Sequence, residues 1–126
     1  DKVPRNFSYD VVVVCRKDSQ DITEGDRAAL LAACARSDAV KLVVTHGTDT
    51  MVETAQVLLD LPGKVIVLTG ALNPARFQGS DAVFNIGCAV GALQSLHDGV
   101  YIAMNGRVWD PLSVKKNRAA NRFEAS

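Results

Sequence analysis

A three-layer α/β/α fold, with a mostly parallel sheet covered by helices on both faces, is what this sequence predicts, and three observations predict it. Four short apolar runs occur: "YDVVVVCR" (residues 9–16), "VKLVVTHG" (40–47), "KVIVLTG" (64–70) and "GVYIAMN" (99–105). They are rich in Val and Ile and mostly not alternating, as strands covered on both faces should be. Helical patterns separate them, and strand alternating with helix implies parallel pairing through right-handed crossovers. The chain has 126 residues, 48% hydrophobic and 22% charged, which suits one buried core and leaves no room for two. The expectation is one α/β domain over residues 1–126, Rossmann-like or flavodoxin-like, with ligands gathered beyond the carboxyl ends of the strands.

The elements are justified one by one. The first helix is predicted over residues 24–36: Thr23 stands where a cap belongs, Glu24 and Asp26 suit the positive end of the helix dipole, and Leu30, Leu31 and Cys34 fall among the apolar positions. The second starts near Thr50, where Thr50 and Glu53 have capping-box spacing, and stops at "LPG", residues 61–63. The third spans about residues 80–96, with Ser80 and Asp81 at its start and "HDG" after its end. Asn105 and Gly106 are the residue types of a two-residue type I′ turn, so "VYIAMN" and "RVWD" are expected to form a hairpin at one sheet edge. The polar tail "KKNRAANRFEAS" is expected to extend along the surface.

Charge excludes several function classes. Lys plus Arg equal Asp plus Glu at 14 each, so no net field favours nucleic acid, an acidic membrane or a polyanionic partner. The cysteines Cys15, Cys34 and Cys88 are odd in number and lack metal or redox spacing, which suggests a reducing compartment, the cytoplasm first. No apolar run is long enough to span a bilayer and no signal-peptide pattern opens the chain. No metal or organic cofactor is implied.

The strand ends carry the polar residues: "CRKDSQD", "VTHGTDT", "LTGALNP" and "AMNGRVWD". A threonine hydroxyl such as that of Thr48 is a poor nucleophile unless a base takes its proton. A lysine desolvated enough to lose a proton can be that base, and a carboxylate such as Asp49 can orient it. Lys115 and Lys116 are the candidates. On spacing alone, however, Thr48 and Asp49 read equally as helix-start residues, and the two lysines as a solvated basic cluster. Ser19 and Gln20 could hold a ligand or could simply form a turn. His46 has no metal-ligand companions and reads as a hydrogen-bonded strand-end histidine. Gly70 marks a close backbone approach, with no dinucleotide or phosphate-loop fingerprint around it.

At "THGTDTMVETA" the chain resembles the second signature of the bacterial-type L-asparaginases, threonine amidohydrolases that release ammonia from asparagine. Further likeness runs in order through "DSQDIT", "LTGALNPARFQGSDAVFN", "AMNGRVWDP" and "VKKN", as in the N-terminal domain of that family and especially its short, single-domain cytoplasmic members. The resemblance implies a proton-handling triad of Thr48, Asp49 and Lys116. It further implies substrate contacts from Ser19, Gln20, Gly47 and Ala71, with Asp49 meeting the α-ammonium. It implies an amino acid substrate, asparagine or its longer homologue glutamine, and a homodimer or higher homo-oligomer. The family's first signature, "TGGTI", with its principal nucleophile, is absent, as is its C-terminal domain; residues 1–3, "DKV", resemble the residues just after that signature in short relatives. Two roles for Thr48 therefore stay open, attack itself or the second proton transfer. A pocket that binds an amino acid without turnover is the competing reading, and a nucleotide-binding domain is disfavoured.

Overall fold

The structure, a computed structural model, describes residues 7–73 and 80–126. The expectation for residues 1–3 lies outside the described residues. A 3-10 turn, Ser19–Asp21, leads into helix α1, Glu24–Arg36. Next come β1 (Lys41–Thr45), α2 (Met51–Val57), β2 (Val65–Thr69), α3 (Ala82–Leu93), β3 (Gly99–Met104), β4 (Arg107–Trp109), β5 (Val114–Asn117) and β6 (Arg122–Ala125). The main sheet has the order β1-β2-β3-β4; β1, β2 and β3 are parallel and β4 is antiparallel to β3. The β3–β4 turn is the expected hairpin: Asn105 and Gly106 have φ of 57° and 75°, the double positive pair that a type I′ turn needs.

Alternation along the strands divides the core in two. Ile66, Leu68, Ile102 and Met104 face one side with Met51, Ala55 and Leu58 from α2 and its C-terminal turn, Cys34 of α1, and Val114 and Phe123 of the β5–β6 hairpin. Val65, Val67 and Ala103 face the other with Ala89 and Leu93 of α3. All five residues of β2 are buried, as expected for a central strand covered on both faces. The fold is α/β in three layers.

Three expectations need correction. Residues 9–16 form no strand; Val11, Val12 and Val13 stand exposed. Strand propensity builds nothing without a neighbouring ladder to take its N–H and C=O groups, and among the described residues β1 pairs only with β2. The tail, expected to lie extended along the surface, folds as the antiparallel β5–β6 pair, because Val114 and Phe123 are buried against the core. The hand of the crossovers differs too.

Both crossovers, β1 to β2 and β2 to β3, step in the same direction across the sheet. The helix of the first lies on one face and the helix of the second on the opposite face. Two such connections have opposite hands, so one of them is left-handed, against a rule obeyed in about 98% of cases. Burial explains the exception. One face is already filled by α1, α2 and the β5–β6 pair, and placing α3 there too would leave Val65, Val67 and Ala103 in water.

Candidate functional site

Because the chain leaves β1 toward one face and β2 toward the other, the two loops diverge and a crevice opens between the carboxyl ends of the strands. It is a cleft of about 450 Å³, lined by Ser19, Gln20, Gly47, Thr48, Asp49, Ala71 and Lys116. These are the residues nominated from the sequence. Asp18, Asp21 and Leu72 line it too; the acids were legible only as neighbours of Ser19 and Gln20, and Leu72 gave no signal.

Gly47 makes the cleft's floor possible. A Cβ there would come within 2.5 Å of Ser19 Cβ and 3.0 Å of Ser19 N, so only glycine lets the Ser19–Asp21 turn seat against the loop. Gly70 serves a similar end, since its Cβ would run into the His46 carbonyl oxygen; the close approach expected of it is to the neighbouring strand end. The Thr50 N–H donates to Ser19 Oγ at 2.6 Å and the Thr50 hydroxyl donates to Ser19 O at 2.7 Å. Thr50 makes no side-chain cap of α2. The expected Thr50–Glu53 capping box is replaced by this clasp, because the hydroxyl finds a stronger partner in the Ser19 carbonyl.

Lys116 arrives from β5. Its amine donates to Thr48 Oγ1 at 2.7 Å and to Asp49 Oδ1 at 2.6 Å. Only 12% of the Lys116 side chain is exposed, whereas Lys115, pointing to the other side of the strand, is largely exposed and lies 3.9 Å from Glu124. Strand alternation thus chooses between the two lysines. Gln20 Nε2 donates to Asp49 Oδ2 at 2.8 Å, and Arg118 lies 3.8 Å from Asp49 Oδ1. The hydrogen bond from Lys116, then that from Gln20, hold the Asp49 carboxyl below the usual carboxylate range.

The wall bearing Ala71 is fixed from behind. Asp81 stands at the start of α3 as expected, at its N-cap position, but its carboxylate makes no cap bond and accepts the N–H groups of Leu72 at 3.0 Å and Asn73 at 3.1 Å. Asn85 Nδ2 donates to Asp81 Oδ2 at 2.9 Å and to Gly70 O at 2.8 Å. Burial alone would raise the Asp81 carboxyl, but these donors outweigh it and the group sits below its ordinary value. His46 lies outside this cleft, hydrogen-bonded to Gly47 O and Thr54.

The chemistry within reach is specific: a hydroxyl and a carboxylate share one lysine amine at the edge of a cleft sized for an amino acid. A carboxylate has about four lone-pair sites, so Asp49 keeps acceptor capacity for a ligand ammonium. Among the described residues no group of three or more His, Cys, Asp or Glu could hold a metal ion, and no helix is long and apolar enough to cross a membrane.

Comparison with known proteins gives consistent results. Residues 2–125 match the family described as "Asparaginase, N-terminal". L-asparaginase 2 of Escherichia coli is 37% identical over 94 residues, covering 70% of this chain and 26% of that protein. The probable periplasmic L-asparaginase of Haemophilus influenzae is 40% identical over 94 residues, again 70% of this chain and 26% of that one. A crystal structure described as a probable cytoplasmic L-asparaginase from Campylobacter jejuni superposes with a TM-score of 0.80 at 27% identity, over 89% of this chain and 38% of that chain. The chain therefore spans about a quarter of the length of these curated relatives.

Proposed function

The chain belongs to the asparaginase family, matching its N-terminal domain over residues 2–125, and from that premise we propose that its cleft binds asparagine and hydrolyses the side-chain amide to aspartate and ammonia. One observation carries the reading: Lys116 Nζ lies within hydrogen-bond reach of both Thr48 Oγ1 and Asp49 Oδ1. That is the arrangement a threonine needs to become a nucleophile.

Lys116, as the free amine oriented by Asp49, takes the Thr48 proton while Oγ1 attacks the amide carbon. The tetrahedral adduct then loses its C–N bond. The departing nitrogen takes the proton from Lys116 and leaves as ammonia. Water attacks the resulting ester through the same base, releasing aspartate and restoring the hydroxyl. In a chain that carries the family's first-signature threonine, that residue takes the attack and Thr48 handles the second proton transfer. Asp49 and Gln20 receive the α-ammonium and α-carboxylate end of the substrate with Ser19. Gly47 presents backbone to that end, and Ala71 presents it to the side-chain amide.

Ammonia release from asparagine by the full chain tests the proposal. Thr48→Val and Lys116→Met should each lower the rate by about 100- to 10,000-fold, the usual contribution of general base catalysis; unchanged rates would remove the triad. Mass spectrometry of a rapidly quenched reaction identifies which hydroxyl is acylated. The competing reading, an amino-acid-binding module without turnover, predicts calorimetric binding of aspartate and no ammonia.

Action in the cytoplasm and assembly into a homodimer or higher oligomer belong to the same proposal. The likeness to a structure described as cytoplasmic supports the first. Exposed Val83, Phe84 and Ile86 on α3 support the second, since apolar surface left in water gains by being covered.

A further inference from the structure

Behind the cleft lies a chain of polar groups that the reaction does not consume. Arg27 of α1 is 8% exposed and Thr54 of α2 is 1% exposed. Arg27 Nε donates to Thr54 Oγ1 at 2.9 Å, Thr54 Oγ1 stands 2.8 Å from His46 Nε2, and His46 Nδ1 stands 2.6 Å from Gly47 O. Glu24 fixes the far end, accepting from Arg27 Nη1 at 2.9 Å.

The protons in this chain have one consistent assignment. A carbonyl oxygen only accepts, so His46 Nδ1 carries the hydrogen. In the neutral ring Nε2 must then accept, so the Thr54 hydroxyl donates to it and receives the Arg27 Nε–H in turn. Burial of the imidazole and the nearby Arg27 cation push the ring toward the neutral form. From Arg27 Nε onward, all three hydrogen bonds point from α1 toward the loop that holds Thr48.

We propose that Arg27, Thr54 and His46 form a positioning relay that orients the Gly47–Thr48 peptide and thereby sets Thr48 Oγ1 against Lys116 Nζ. Gly47 is held from two sides: its carbonyl by the His46 ring and its α-carbon by Ser19, which leaves no room for a Cβ. Tilting that peptide moves Thr48, the next residue. His46 is then a positioning residue that touches no substrate. The catalytic part of the proposal rests on the amidohydrolase reading; the tautomer and the peptide orientation do not.

The chain has two histidines, so long-range nitrogen–proton NMR can resolve His46 with His97 as an internal reference. At pH 7.5 the relay requires His46 as the Nδ1–H tautomer. Thr54→Val keeps the side-chain shape but removes the hydroxyl. It should change the His46 nitrogen shifts and displace the Thr48 amide resonance, while Thr54→Ser restores both. Thr54→Val should also lower kcat by about 10- to 100-fold, as small misplacement of a reacting group does, with KM little changed because Ser19, Gln20 and Asp49 stay in place.

An Nε2–H tautomer in the unmodified chain overturns the relay. So does a folded Thr54→Val variant whose Thr48 amide and kcat are unaltered. If the unmodified chain releases no ammonia, the proposed activity fails, and the tautomer together with the Thr48 amide response in the Val and Ser variants still decides the relay.

Discussion

Asp49 is the residue on which most of the site converges, with Lys116, Gln20 and Arg118 around one carboxylate. Its folded-state pKa lies below its unfolded value of about 3.9. The ionised carboxylate therefore contributes stability that is fully present above that value and is lost as pH falls through the lower, folded one. Urea unfolding between pH 2 and 6 should show this as a gain in the native chain that Asp49→Asn lacks. Asp26 and Asp81 are also held low, so the difference between the two proteins, not the slope of either, reports Asp49; identical curves would mean the Lys116 pair is energetically idle. At this scale the sequence was informative where residue type dictates chemistry. A threonine beside an aspartate with a lysine elsewhere could be named, and so could a glycine at a close approach. Invisible were the partners: nothing in "DSQD" says that Ser19 clasps Thr50, and nothing in "VETA" says that Thr54 receives an arginine from α1.

Among the elements, α1 was the most legible, because its ends are written locally. The Thr23 hydroxyl accepts the Asp26 N–H at 3.1 Å, and the Thr23 N–H is taken by Asp26 Oδ2 at 2.9 Å. Thr23→Ala should lower stability by about 1 kcal/mol, read as a drop in the urea midpoint with no change in ligand affinity. The type I′ hairpin was legible for the same reason. Residues 9–16 were not, since four valines in a row state a preference that only a paired neighbour can satisfy. The β5–β6 pair escaped notice because only two of its residues, Val114 and Phe123, are buried in the core, too few to make a pattern against a polar background. Yet this pair decides the site: its alternation turns Lys116 inward and Lys115 to solvent.

For the whole molecule, the arrangement of helices on opposite faces of β1-β2-β3 both closes two cores and opens the crevice that holds Thr48. The sequence predicted the three helices and β1 to β4 in their order, but not this hand, because handedness depends on which sheet face still needs covering once the rest is packed. Stability should be distributed accordingly. Amides of β2, buried on both faces, are expected to exchange with solvent only on global unfolding, whereas those of β5 and β6 exchange faster through local opening; equal protection across both sheets would contradict the division. Lys116 reaches back 67 residues to Asp49, and contacts of such separation close only after the intervening chain is ordered. A polypeptide leaving the ribosome would thus complete α1, β1 and β2 with its hydroxyl still unarmed. On the proposed reaction, the base arrives only with the β5–β6 pair, so that copies in the cell made no further than β4 hold the threonine without its amine.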